Sequence, residues 1–249
     1  MSATATVADL AAEQAQLRAV LDGIGASDWL RPTPSWGWDV RDTIAHLADT
    51  DEMAIDTMTG GPRALGLVRE SSVSSEDTTY RGVLRGRRMT GAGVGAWWAE
   101  MSARELDTIA ALDPEMRVPW GLGMKAPSFI SARIMETWAH GLDVHAALGT
   151  EPVDSDRLAF IAWLATRALP YAYTVAGREP PPGDLRVELT LPSGAPWIFG
   201  PEGAAGRITG PVGQYCRVFT QRLRLADAPD LEATGAVAES ALAVARAYL

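Results

Sequence analysis

The chain has 249 residues, of which 47% are hydrophobic, and its formal net charge is −9 at pH 7. This size can bury one large core or two moderate ones, and the negative charge argues against nucleic-acid binding as the main activity. No run of about 18 apolar residues is present and the N-terminus lacks a basic start and an apolar core, so neither a membrane span nor a signal peptide is expected. The single cysteine, Cys216, excludes an intramolecular disulfide and fits a cytoplasmic protein, which we expect to be a monomer or a homodimer.

Hydrophobic periodicity predicts that the first part of the chain is helical. Thr6 is a possible cap for an amphipathic helix over 6–22, and Asp39 with Asp42 predicts the start of a second helix over 39–59. Residues 62–88 are polar and weakly periodic, and part of this segment is expected to be a loop. Further helices are predicted over 91–112, over 129–148 after Ser128 as a cap, and over 155–176 with a bend near Pro170.

The composition changes at residues 177–183, where three consecutive prolines predict a linker. After it, residues 185–191 alternate between apolar and polar side chains, as a half-buried strand does, and 196–200 reads as the returning strand. Residues 211–224 and 232–248 are predicted to be helical. The sequence therefore predicts an α+β protein that is mainly α, with a helical domain over 1–178 and a small α+β domain over 184–249.

Two of the three histidines occur in a pattern that favours metal binding. Glu136 and His140 are four residues apart and therefore share one face of a helix, and His46 lies on a separate predicted helix. Two imidazoles and one carboxylate form a set that typically binds Zn²⁺ with one position open, although Ni²⁺ or Fe²⁺ can occupy the same ligands. Asp143 stands one turn beyond His140 and could accept its second ring N–H. The alternative is a simple helix-surface hydrogen bond between Glu136 and His140.

Several other residues are not expected to join such a site. His145 lies about 140° around the helix from His140, so a capping or packing role is favoured. Cys216 is expected to be a small buried apolar residue and not a nucleophile. Adjacent Trp97 and Trp98 cannot both face one core, so one of them is expected to be exposed, to line a cleft or to meet the second domain. The three tryptophans that flank the histidine motifs could wall a pocket or fill the core: Trp36, Trp38 and Trp138.

Two segments together resemble a known family. The segments 38–47 (WDVRDTIAHL) and 135–143 (METWAHGLD) are similar to the mycothiol-dependent maleylpyruvate isomerase family, and most of all to its actinobacterial members of unassigned activity. The resemblance implies an up-down four-helix bundle of the DinB-like superfamily over the helical domain. It also places the family's metal ligands on His46, Glu136 and His140. Gln221-Arg222 resembles the segment that bears a functionally important arginine, so Arg222 is a candidate catalytic residue, the alternative being a solvated arginine on a helix.

The resemblance implies mycothiol, a low-molecular-weight thiol, as cosubstrate. A thiolate could add reversibly to a conjugated acid and so allow cis–trans isomerisation, or it could be transferred to an electrophile. We therefore expect a metal-dependent isomerase or S-transferase that acts on a small polar metabolite. Two alternatives remain: a metal-dependent isomerase, cyclase, lyase or hydrolase without a thiol, and a non-catalytic metal- or ligand-binding protein.

Overall fold

The computed structural model describes residues 4–70, 75–113, 115–120 and 123–247. It divides into two compact units, Ala5–Pro152 and the chain from Val153 onward. None of the helices in these described ranges is both long and apolar enough to cross a membrane. The elements of the first unit are the helices α1 Val7–Asp22, α2 Val40–Thr59, α3 Leu65–Glu70, α4 Ser75–Gly86, α5 Gly91–Ala110 and α6 Ala126–Leu148, and the short strands β1 Arg117–Val118 and β2 Met124–Lys125.

The predicted starts of the first two long helices are confirmed. Thr6 caps α1 and Asp39 caps α2. Each forms a capping box, in which the side chains of the cap residue and of the third helical residue accept hydrogen bonds from each other's backbone N–H. The fourth predicted helix, α6, begins earlier than expected, because Lys125 and not Ser128 is its N-cap and Pro127 lies in its first turn. Proline is tolerated there because the first N–H groups of a helix have no intrahelical partner.

Four long helices of the first unit enclose its core. Helix α1 packs against α5 and α6, and α2 packs against the same two helices from the other side. Their buried side chains form one cluster, to which each of the four helices contributes: Leu17, Leu21, Val40, Ile44, Leu47, Ile55, Val94, Trp97, Trp98, Met101 and Val144. The ring of helices places α2 and α6 side by side, and these are the two helices that carry the histidine motifs.

Helix α4 lies within residues 62–88, part of which is expected from the sequence to be a loop. It packs along α2, where a Cβ atom on Gly82 would approach Asp49 Cβ to 2.5 Å and a Cβ atom on Gly86 would approach Ala45 Cβ to 2.4 Å. Glycines four residues apart thus let two helix backbones come close together. The same glycines lower helix propensity, which explains the weak helical periodicity of this segment.

The expectation that Trp97 or Trp98 lies outside the core is wrong. Both side chains are buried, at 6% and 1% exposure. They can be buried together because α5 is covered on two sides. The guanidinium of Arg85 in α4 lies 4.0 Å from the Trp97 ring centroid, whereas Trp98 faces Arg18 of α1 at 5.9 Å.

The second unit combines helices with a four-stranded sheet. Its elements are α7 Leu158–Arg167, α8 Leu169–Ala176, β3 Leu185–Thr190, β4 Pro196–Phe199, β5 Gly206–Pro211, α9 Val212–Phe219, β6 Glu232–Thr234 and α10 Ala236–Ala243. The strand order is β4-β3-β5-β6, with β3 and β5 parallel and the other neighbours antiparallel. Strands β5 and β6 were not predicted. The predicted helices over 211–224 and 232–248 are shorter in the structure, and the bend near Pro170 is the junction between α7 and α8.

The contact boundary between the units falls before the predicted linker. Helix α7 packs on α9 within the second unit, where Thr166 and the buried Tyr215 share a hydrogen bond of 2.8 Å. Tyr173 of α8 likewise donates to Ser240 at 2.9 Å. Because these helices bury their apolar faces against the C-terminal elements, they group with the sheet and not with the bundle, and the proline-rich segment is a connection inside the second unit.

Candidate metal centre

The structure brings His46, Glu136 and His140 together. One ligand atom from each lies within 4.8 Å of the others. His46 Nε2 is 4.0 Å and His140 Nε2 is 3.7 Å from the same oxygen, Glu136 Oε2. His46 comes from α2, and the other two come from one face of α6. The three residues therefore form one cluster where α2 contacts α6.

The donor set and its dimensions fit a divalent ion. Ligand atoms that surround Zn²⁺ tetrahedrally at about 2.0–2.1 Å lie about 3.4 Å from one another. The 3.7 and 4.0 Å separations exceed that value by a few tenths of an ångström, which side-chain rotation can supply. Three protein ligands leave at least one coordination position for water or a substrate atom. Glu136 is the most exposed of the three side chains, at 26% against 12% for each histidine, so the cluster opens toward solvent on its side.

Asp143 fixes the orientation of the His140 ring. Its Oδ2 lies 3.0 Å from His140 Nδ1. The Asp143 carboxylate can accept a hydrogen bond from Nδ1–H, an arrangement that leaves Nε2 as the ring nitrogen able to bind a metal. Ser35 Oγ donates to the same Asp143 oxygen at 3.4 Å. This arrangement of carboxylate and imidazole is the usual support of a metal-bound histidine.

Replacing Asp143 by asparagine should weaken metal binding by about 10- to 100-fold, because loss of such a partner makes the imidazole less basic and less well oriented. Zn²⁺ competition titration of the purified variant measures this change. Asp107→Asn, on the exposed face of α5, is the matched control and should bind as the unaltered protein does. Equal affinities for the Asp143 and Asp107 variants would show that this carboxylate does not support the ligand.

Trp38 covers one side of the two histidine rings. Its ring centroid lies 5.2 Å from that of His46 and 6.3 Å from that of His140. A tight turn positions it, with the Trp38 N–H donating to Ser35 O at 3.0 Å and Gly37 at φ 77°. A left-handed residue at this third position of the turn favours glycine. Of the other two flanking tryptophans, Trp36 is 98% exposed and Trp138 is buried at 5%.

The expectations for His145 and Cys216 are confirmed. His145 lies outside the cluster, and its Nδ1 is 2.8 Å from Thr150 Oγ1 just beyond the end of α6, which is a capping contact. Burial lowers the pKa of its imidazole. Cys216 is fully buried, and burial raises the pKa of its thiol well above the ordinary value, so it is not a nucleophile.

The candidate Arg222 lies in the second unit, just after α9. Its Nη1 donates to Thr220 O at 2.7 Å, and the preceding Gln221 has a left-handed φ of 60°. The neighbouring arginines form bidentate ion pairs: Arg217 binds Asp154 at 2.6 and 3.0 Å, and Arg224 binds Asp227 at 2.6 and 3.0 Å. Three arginines that look alike in the sequence thus have different surroundings.

A buried charge cluster near the histidines was missed by sequence reasoning. Arg133 of α6 is 1% exposed and forms ion pairs with Asp51 of α2 and, at 2.8 Å, with Glu105 of α5. Gln14 of α1 donates to Glu105 Oε2 at 3.3 Å. The one available signal was an arginine inside the otherwise apolar stretch of α6, which an isolated charge does not normally occupy.

Burial governs the protonation of this cluster. It raises the pKa of Glu105 to about 8, with the charge of Asp51 acting in the same direction and Arg133 opposing both. It raises the pKa of Asp51 to about 6, again against the effect of Arg133. Both carboxyl pKa values therefore lie above their ordinary values, because the cost of burial exceeds the effect of the Arg133 guanidinium.

Replacing Glu105 by glutamine should flatten the pH dependence of stability between about pH 5 and 8. The folded pKa of Glu105 lies above the unfolded one, so its contribution is complete below about pH 4.5 and is lost as pH rises through about 8. Glutamine keeps the neutral shape at every pH, so the free energy of unfolding of the variant should rise relative to that of the unaltered protein as pH rises. Urea unfolding at pH 5, 6.5 and 8 measures this, with the exposed Glu100→Gln as control. Parallel stability curves would contradict the expectation.

Comparison with known proteins places the chain in a family. The family model of the mycothiol maleylpyruvate isomerase N-terminal domain matches residues 10–145. Uncharacterized proteins of Mycobacterium tuberculosis strains CDC 1551 and H37Rv are 35% identical over 243 residues, which cover 97% of this chain and 94% of the relatives.

The fold comparison agrees. Crystal structures of the mycothiol-dependent maleylpyruvate isomerase and of a histidine mutant of it match with a TM-score of 0.61 and 16% identity, over 92% of this chain and 91% of theirs. At that identity the match establishes the shared fold, which is α+β and mainly α. The resemblance seen in the two histidine-bearing segments is thus confirmed, and the chain belongs to the mycothiol maleylpyruvate isomerase N-terminal domain family.

Proposed function

We propose that this protein is a metal-dependent enzyme that uses mycothiol as a cosubstrate. It either isomerises a small polar metabolite or attaches the thiol to it, as an S-transferase does. The observation that carries the proposal is the convergence of His46, Glu136 and His140 in a chain of this family. A solved structure of similar fold is named as a mycothiol-dependent maleylpyruvate isomerase, which makes an unsaturated carboxylic acid the first substrate class to consider.

The side chains around the cluster have separate roles in this proposal. His46, Glu136 and His140 hold the ion, for which Zn²⁺ is the first candidate and Ni²⁺ or Fe²⁺ are alternatives. Such an ion, when bound, lowers the pKa of a coordinated thiol and polarises a carbonyl or carboxylate oxygen. Asp143 keeps the His140 ring in the ligating tautomer. Trp38 shields one side of the histidines from water, so that substrate and thiol approach from the open side, next to Glu136.

Arg222 is proposed as the cation that binds the substrate's carboxylate. Arg222→Ala should leave metal content unchanged and reduce turnover at least tenfold, which corresponds to about 1.4 kcal/mol of transition-state stabilisation. Arg224→Ala is the matched control, because Arg224 lies two residues away, is exposed, and already pairs with Asp227. Steady-state rates and metal analysis on both variants separate the two roles. Similar rates for the two variants would mean that Arg222 is an ordinary surface arginine.

The proposal is tested by measuring metal, thiol and product together. Purified protein is analysed for metal and then assayed with maleylpyruvate, with and without mycothiol. An isomerase returns the thiol unchanged, because the C–S bond that forms on addition breaks again on elimination. An S-transferase acting on an electrophile consumes one thiol for each product. Thiol-independent turnover would identify the metal enzyme without a thiol, whereas full metal occupancy with neither turnover nor a mycothiol-induced thermal shift would contradict the proposed function.

A further inference from the structure

We infer that Arg133, Asp51 and Glu105 form a positioning network that holds α2 and α6 at the separation the three candidate metal ligands require. The inference rests on the proposed metal site and adds residues that do not touch the ion. Arg133 is three residues before Glu136 on α6, and Asp51 is five residues after His46 on α2. At about 1.5 Å per residue along a helix, the Arg133–Asp51 pair crosses between the helices within about one to one and a half turns of the ligands.

The network reaches all four helices of the bundle. Arg133 Nε donates to Glu105 Oε1 of α5 at 2.8 Å, and its Nη2 donates to Asp51 and, at 3.3 Å, to Thr50 of α2. Gln14 of α1 extends the chain of contacts to Glu105. The planar guanidinium has fixed donor directions, so the carboxylates on α2 and α5 can be satisfied together only in one helix arrangement.

The burial of the network argues that it serves more than folding stability. Arg133, Asp51 and Glu105 are 1%, 2% and 0% exposed. Taking such charges out of water offsets most of their attraction, and buried ion pairs can often be replaced by apolar side chains of similar volume without loss of stability. What an apolar replacement loses is a fixed register between helices. Ligand atoms contributed by two different helices depend on that register, because each metal–ligand bond tolerates only a small change in length.

The test replaces the network by apolar residues and measures metal binding apart from folding. The variant Arg133→Met, Asp51→Ala, Glu105→Leu keeps a similar total side-chain volume. Its unfolding midpoint in the absence of metal should stay close to that of the unaltered protein, while Co²⁺ affinity should fall at least tenfold and the visible absorption of bound Co²⁺, which reports coordination geometry, should change. If the variant binds Co²⁺ with unaltered affinity and spectrum, the positioning role is wrong although the metal site stands. An unaltered protein that binds no metal would overturn the site itself, and the network's role with it.

Two further variants guard against a general loss of structure. Arg133→Lys keeps the charge but cannot bond both carboxylates in the same way, so it should fold and show an intermediate loss of Co²⁺ affinity. Should the triple variant fail to fold, Arg133→Lys decides alone, and unchanged binding overturns the inference. Arg63→Met is the matched control, because it removes a bidentate ion pair to Asp49, only three residues after His46, that does not reach α6. An equal loss in this control would also overturn the inference.

Discussion

Replacing His46 and His140 together by alanine is expected to abolish stoichiometric metal binding. A four-ligand zinc site is worth about 10–16 kcal/mol, or about 3 kcal/mol for each ligand, so loss of two ligands weakens binding by about four orders of magnitude. Elemental analysis of the dialysed variant measures the result. The remaining Glu136 is 26% exposed, and a single partly exposed carboxylate does not retain a transition metal against dialysis.

The chain supplies its own control for that experiment. His145 lies on the same helix as His140, but its ring contacts Thr150 at the helix end. His145→Ala removes one histidine from α6 and should leave metal content unchanged. Its only expected effect is a small loss of helix stability. Metal retained by the double variant, or lost equally in the control, would contradict the ligand assignment.

Arg133→Met is expected to destabilise the protein by about 3–5 kcal/mol, because it leaves Asp51 and Glu105 buried without their cation. The variant should recover stability as pH falls. Without Arg133 the folded pKa of each carboxyl lies still further above its unfolded value, so the folded state is favoured where both are protonated. Urea unfolding at pH 7 and pH 5 measures both effects.

A surface ion pair provides the comparison for this loss. Arg31 and Asp28 are 3.6 Å apart with side chains 47% and 33% exposed, and Arg31→Met should cost no more than about 1 kcal/mol. A loss of that size in Arg133→Met, without improvement at low pH, would show that the buried carboxylates do not depend on the guanidinium.

Local sequence patterns were enough to locate the candidate ligand cluster. Glu136 and His140 share a helix face by spacing alone, and the Asp39 capping box fixes the start of the helix that carries His46. What spacing could not supply is the distance between the two helices, which depends on packing over the whole bundle. The network of Arg133 was missed for that reason, since its partners are 28 and 82 residues away along the chain.

The missed secondary structure has a related cause. Strand β6 has only three residues, and β5 contains two glycines and a proline, so their pairing is decided by the neighbouring strands and not by their own propensity. The same holds for the burial of Trp97. The Trp97 ring is covered by Arg85, which belongs to α4. The glycines of α4 weaken its helical pattern, so this helix could not be predicted from the sequence.

The burial of Cys216 has a consequence for chemistry that runs on a diffusible thiol. Small thiols in a cell are continually oxidised to disulfides, and these disulfides react with exposed protein thiolates to form mixed disulfides. This chain has one cysteine, and its sulfur is enclosed, protonated and directed at the Leu158 carbonyl at 3.6 Å. If the proposed thiol chemistry holds, the oxidised form of that thiol would therefore meet no exposed thiolate on the folded protein.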